Sequence, residues 1–190
     1  MSFLDSGTES LLSRRSFLKS GLTLSMAALI STGVKPALAM PSGGAYSVSF
    51  RNSHTGESFS GVYRVGDKYL PDAFERINYV MRDFRQNEVF PMDPRAIDII
   101  AAVHRYTGST NPYSIISGYR SPHTNAMLRS NSRGVAKRSL HMSGQAIDLR
   151  LEGINTKHIR EIATNLKAGG VGYYSRQQFV HMDSGTFRTW

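Results

Sequence analysis

The chain has 190 residues, 23 Lys+Arg against 14 Asp+Glu, a net charge of +9 and no cysteine. That length suits one domain, or at most two small ones, and 40% apolar residues suffice for a core. The missing cysteines exclude a disulfide scaffold, an iron–sulfur cluster, a cysteine nucleophile and a thiolate zinc finger. Any metal must therefore be held by His, Asp or Glu.

The N-terminal segment reads as an address. Ser13-Arg14-Arg15-Ser16-Phe17-Leu18-Lys19 is a twin-arginine export motif. A mildly apolar stretch from Gly21 to about Val34 follows, then Ala37-Leu38-Ala39, a small-x-small cleavage site. The expected division is a signal peptide over 1–39 and one domain over 40–190. Without the leader, 19 basic and 12 acidic residues remain, a net charge of +7. A basic protein outside the cytoplasm meets the anionic cell wall rather than the chromosome. With no nucleic-acid motif in view, a nucleic-acid partner is not expected. No apolar run approaches the roughly 18 residues of a spanning helix, so no stable membrane insertion is expected after cleavage.

In the mature part, Tyr46–Phe50 alternates as a half-buried strand, 52–56 reads as a turn, and Glu57–Val65 can complete a hairpin. Pro71 starts a helical pattern running to about Arg85, with Phe74, Ile77, Val80 (or Met81) and Phe84 on one face. A second helix is capped by Asp93, has Pro94 in its first turn and ends near Gly108. Tyr113–Ser117 reads as a buried strand, 124–128 as a short helix and Ser130–Arg138 as an exposed basic loop. Ala146–Leu151 is a strand. Asn155 caps a helix to Lys167, closed by Gly169-Gly170. Two short strands, Gly170–Tyr173 and Phe179–Asp183, complete the pattern. The fold expected is a small α+β domain, with a mainly antiparallel sheet flanked by helices.

Of six histidines, two stand out by context. In Ser139-Leu140-His141-Met142-Ser143-Gly144-Gln145-Ala146-Ile147-Asp148, a carboxylate sits in an otherwise apolar strand. Gly144 permits a tight turn that can return His141 over Asp148. In Phe179-Val180-His181-Met182-Asp183, His181 and Asp183 share one strand face, roughly 6.6 Å apart at Cα. Convergence of His141, Asp148 and His181 would give three protein ligands and an open fourth position, the pattern of a catalytic zinc site. Spacing alone does not establish that convergence, and two histidines satisfied elsewhere remain the alternative.

These blocks resemble the zinc murein peptidases of the LAS superfamily, the D-Ala-D-Ala carboxypeptidases and their endopeptidase relatives. More narrowly, Ser117-Gly118-Tyr119-Arg120-Ser121-Pro122, then Ser139 to Asp148, then Gly170-Val171-Gly172-Tyr173-Tyr174, then Phe179 to Asp183 and the closing Arg188-x-Trp190 resemble the murein endopeptidase K branch. The resemblance spans roughly Tyr46 to Trp190. It implies Zn²⁺ on His141, Asp148 and His181, peptidoglycan as substrate and a periplasmic location. It also gives Arg120 a role, either stabilising the oxyanion or clamping a substrate carboxylate.

One position departs from the pattern. Several relatives place an acid three residues before the last zinc histidine as general base, and here that residue is Gln178. Asp183 is the expected replacement for handling the proton of the attacking water, or else it fixes a ligand's ring nitrogen. The activity expected is a peptidoglycan cross-link endopeptidase. A D-alanyl carboxypeptidase and a non-catalytic murein-binding module are the alternatives.

Overall fold

Alternating burial along β1 (Ala45–Asn52) puts Tyr46, Val48, Phe50 and Asn52 inward. It pairs antiparallel with β2 (Ser58–Val65), as the hairpin pattern predicts. The computed structural model describes residues 43–132 and 134–190, so the expected leader and cleavage site at 1–39 lie outside the described residues. A two-residue β3 (Lys68–Tyr69) extends the hairpin. The further strands are β4 (Tyr113–Ser117), β5 (Ala146–Leu151), β6 (Gly170–Tyr174), β7 (Phe179–Asp183) and β8 (Arg188–Thr189). All eight form one sheet in the order β3-β2-β1-β4-β5-β7-β6-β8. Only the β1–β4 and β6–β8 pairs are parallel. The α+β class with a mainly antiparallel sheet is borne out.

The helices are α1 (Pro71–Val80), α2 (Pro94–Thr107), α3 (Pro122–Asn131) and α4 (Thr156–Leu166). The Asp93 side chain accepts from the Arg95 N–H and that of Asn155 from the Lys157 N–H, so the caps stand where the sequence puts them. Helices α2 and α4 pack on each other and on β7. Ile97, Ile100 and Ile159 there meet Ile147, Leu149, Val180 and Met182 from the sheet, all buried. Each such aliphatic side chain contributes about 1.5–3 kcal/mol by leaving water.

Two boundaries differ from expectation. Helix α1 ends at Val80 rather than near Arg85. The buried Asp83 carboxylate instead accepts from the Ser121 N–H at 2.9 Å and its hydroxyl at 2.7 Å, and Asp83 pairs through its backbone with Glu88. These contacts draw the chain out of the helix and across to the turn after β4. Helix α3 is longer than the 124–128 expected, because Ser121 caps it and Pro122 opens it. Among the described residues no helix is long and apolar enough to cross a membrane.

Candidate metal centre

Strands alternate their faces, and in β5 this separates Ile147 and Leu149, which enter the core, from Ala146 and Asp148. The antiparallel register places Asp148 opposite His181 on β7 and Ala146 opposite Asp183. It also places His181 opposite Gly172 and Phe179 opposite Tyr174 on β6. One face of β5-β7-β6 thus carries Asp148, His181, Asp183, Phe179 and Tyr174.

His141 reaches this face from a single 3₁₀ turn, Leu140–Ser143. The Ser139 hydroxyl caps the turn, and Gly144 closes it at φ +66°, the left-handed region that favours glycine. The His141 carbonyl accepts from the Arg120 N–H at 3.1 Å, which ties this turn to the one after β4.

The three side chains converge. His141 Nε2 lies 3.3 Å from His181 Nδ1 and 3.3 Å from Asp148 Oδ2, and His181 Nδ1 lies 2.9 Å from Asp148 Oδ1. All three residues are buried. A tetrahedral ion about 2 Å from each ligand holds its ligand atoms about 3.3 Å apart, so this donor set fits zinc. The outer ring nitrogens are engaged as well. His141 Nδ1 faces the Gly118 carbonyl at 2.7 Å, and His181 Nε2 faces Asp183 Oδ2 at 2.9 Å. Both partners only accept, so the protons sit on the outer nitrogens. Metal binding requires the inner nitrogens to be deprotonated, and their lone pairs would then face the space beside Asp148.

Electrostatics follow from this crowding. Burial alone would push His181 down, but hydrogen bonds and charge from Asp148 and Asp183 outweigh it, and its pKa is pushed up to about 9. Burial would raise Asp148, yet His141 and His181 hold it well below the usual carboxylate range. Burial would likewise raise Asp183, and His181 with Arg188 holds it low.

A prediction follows for the metal-free protein. A raised histidine pKa stabilises the fold below about pH 6.5, and that contribution is lost as pH rises through about 9. The two depressed carboxylates act oppositely, their contribution being lost only in acid. The metal-free melting temperature is expected to fall between pH 6.5 and 9, and zinc affinity to rise about tenfold per pH unit there as one proton is displaced. Melting curves of chelator-treated protein across that range check it, and a flat profile counts against the imidazolium.

A cavity of about 610 Å³ opens over the three ligands, walled by Arg120, Arg138, Tyr174, Phe179 and Trp190. Arg120 Nη2 donates to Ser117 Oγ at 3.2 Å and lies 3.6 Å from Asp148 Oδ2, while its buried Nε has no partner. Asp183, by contrast, is wholly buried behind the His181 ring. Its oxygens accept from the Gly170 and Gly185 N–H groups and from Arg188 at 3.0 and 2.7 Å. It faces the ring's outer nitrogen and is committed there. Gln178 takes a left-handed backbone (φ 56°) in the β6–β7 turn and donates back to the Ser175 carbonyl, while its neighbour Gln177 lines the cavity.

The other histidines stand apart. His54 stacks on Phe84 with ring centroids 4.2 Å apart, and His104 bonds the Asn111 carbonyl and meets Tyr113 edge-on. His158 is exposed beside Glu161. His123 is exposed at the start of α3 and does not line the cavity. Trp190 and Arg188 were present in the sequence only as a closing motif. The Trp190 indole packs 5.1 Å from the His181 ring, in space that a side chain at Gly172 would fill: a Cβ there would lie 2.6 Å from the indole.

The family described as Peptidoglycan L,D-endopeptidase MepK matches residues 41–190. The chain is 43% identical over 143 residues to the peptidoglycan L,D-endopeptidase MepK of Escherichia coli K12, covering 75% of this chain and 79% of that protein. It is 42% identical over 144 residues to the probable peptidoglycan L,D-endopeptidase MepK of Haemophilus influenzae, covering 75% and 77%. Among solved structures, the L-Ala D-Glu endopeptidase ChiX of Serratia marcescens aligns with a TM-score of 0.38 and 18% identity, over 49% of this chain and 80% of that one.

Proposed function

This chain belongs to the peptidoglycan L,D-endopeptidase MepK family, and on that basis we propose that it is a zinc-dependent peptidase cutting L,D peptide cross-links between meso-diaminopimelate residues in the periplasm. The observation that carries the zinc reading is the trio His141, Asp148 and His181, with ligand atoms 2.9–3.3 Å apart and both outer ring nitrogens anchored. Zinc bound there supplies Lewis acidity that polarises the scissile carbonyl and acidifies the attacking water.

The remaining work falls to the chain. Arg120, on the cavity wall beside the three ligands, donates to the oxygen that gains charge as water adds. Arg138, exposed on the cavity rim with no ion pair among the described residues, draws in the carboxylates of the stem peptide. Asp183 is assigned a positioning role in place of the proton transfer expected from the sequence. A carboxylate with no exposure and five hydrogen bonds to protein donors cannot reach water or substrate, but it holds the His181 ring with Nδ1 facing inward. The twin-arginine leader is the proposed route of export, with cleavage after Ala39.

The test is digestion of purified cross-linked peptidoglycan by the exported protein, whose N-terminus is expected at Met40. Products are read by mass with and without a zinc chelator. Chelator-sensitive conversion of L,D-linked dimers to monomers is the expected result. Loss of terminal D-alanine alone would make it a carboxypeptidase. No turnover by folded, zinc-loaded protein would overturn the enzymatic reading.

A further inference from the structure

Peptide hydrolysis needs a proton for the leaving nitrogen, and the cavity offers few groups to give one. Among the described residues its only acid is Asp148, which the metal reading occupies. Asp183 is sealed behind His181, and Gln178 is turned away toward Ser175. Arginine does not give up its proton at working pH. Ser132 and Ser139 lie on the cavity wall, and the Ser139 hydroxyl already caps the turn that carries His141.

Tyr174 is different. It stands on the metal-bearing face of β6, opposite Phe179, and stacks on that ring with centroids 4.4 Å apart. Its hydroxyl lies 3.1 Å from Trp190 Nε1. An indole N–H can only donate, so the phenol oxygen accepts and its own proton is left over. That proton has no acceptor among the described residues, and the ring lines the cavity with Arg120 and the three ligands. Trp190 is itself held. Its backbone bonds Val171 and Tyr173, its ring packs on His181, and the Arg188 guanidinium lies 4.9 Å over it. The phenol is therefore aligned by the same C-terminal segment, Arg188 to Trp190, that locks Asp183.

We infer that Tyr174, oriented by the Trp190 indole, is the catalytic residue that protonates the leaving amine. The inference rests on the peptidase reading above. Water's oxygen bonds to the scissile carbon, and one water proton passes to solvent. As the C–N bond breaks, its electron pair takes the Tyr174 proton. The phenolate then recovers a proton from the hydroxyl left on the carbon. The products are a carboxylate and an amine, with Tyr174 restored. Such proton transfer is worth about 10²–10⁴-fold.

The test compares the zinc-loaded wild type with Tyr174→Phe on two substrates: a synthetic L,D-linked meso-diaminopimelate dimer, and its analogue with an ester oxygen in place of the scissile N–H. An ester leaves without needing a strong proton donor. The variant is expected to lose about a hundredfold in kcat on the amide with KM within about twofold. It should cleave the ester within about threefold of wild type and keep stoichiometric zinc. Trp190→Phe, which keeps a ring against His181 but loses the N–H, should show a smaller loss on the amide alone. That loss should vanish when Tyr174 is already Phe.

Equal loss on amide and ester, a rise in KM without loss of kcat, loss of zinc, or an amide rate within about threefold of wild type would each overturn the assignment. If Tyr174→Phe does not fold, the amide-against-ester comparison in Trp190→Phe decides alone. A wild type that cleaves neither substrate overturns the peptidase reading and this inference with it, whereas an active wild type with an equally active Tyr174→Phe overturns only this inference.

Discussion

Asp148→Asn is expected to abolish turnover by at least about a thousandfold, an order of magnitude beyond the ten- to hundredfold cost of losing a group behind the ligands. Asparagine keeps the shape but removes the one negative charge among the three inward-facing donors. Its amide can also present N–H groups to the lone pairs of His141 Nε2 and His181 Nδ1, now 2.9–3.3 Å away. Two neutral imidazoles are a poor set for a divalent ion. Without metal the loss is of another kind: the His181 imidazolium loses one of its two carboxylates and Arg120 its ion pair at 3.6 Å. Breaking a buried pair in this way costs about 3–5 kcal/mol. Zinc content, melting temperature and rate must therefore be read together. A variant that keeps stoichiometric zinc and wild-type rate would remove Asp148 from the ligand set. Asp183→Asn is the graded companion. It is expected to weaken zinc about ten- to a hundredfold, with turnover recovered at saturating zinc. Full zinc with no activity would instead restore Asp183 as the base.

Much of this arrangement is written locally. Period-2 burial in β1 and β5, the Asp93 and Asn155 caps, and Gly144 before an apolar strand are readable because each is decided within a few residues. The approach of His181 to His141 is not local. Forty residues separate them, and the register Asp148↔His181 that joins them is fixed by helices packing on the other face. The end of α1 escaped for the same reason, because the partner that draws Asp83 away is Ser121, 38 residues on. That Asp183 shares a face with His181 follows from alternation. Which side of the ring it takes depends on Gly170, Gly185 and Arg188, which together surround its carboxylate. The pairing of Tyr174 with Trp190 had only the closing Arg188-x-Trp190 as its signal, because Trp190 directly follows a two-residue strand too short for any pattern to show.

Arg120→Lys is expected to lower kcat by about 10²–10³-fold while zinc content stays stoichiometric. The substitution preserves the positive charge, so it separates a charge requirement from a geometric one. The surrounding structure argues for geometry. The Arg120 N–H donates to the His141 carbonyl, and the Tyr119 N–H donates to the Met81 carbonyl at 2.8 Å. The Tyr119 ring stacks on Phe90 at 4.6 Å, and its hydroxyl bonds Glu88. The Asp83 carboxylate grips Ser121 on the other side. A turn held at three successive residues cannot shift to let a shorter, unforked side chain reach the same point. The guanidinium stands on the cavity wall with Nη2 on Ser117, while its Nε is sealed from solvent without a partner. Were Arg120 only an ion-pair partner for Asp148, lysine would keep the rate and the melting temperature would fall. Were it a clamp for a substrate carboxylate, KM would rise with kcat unchanged. Loss of kcat at constant KM and constant zinc is the outcome that places its hydrogen bonds in the transition state.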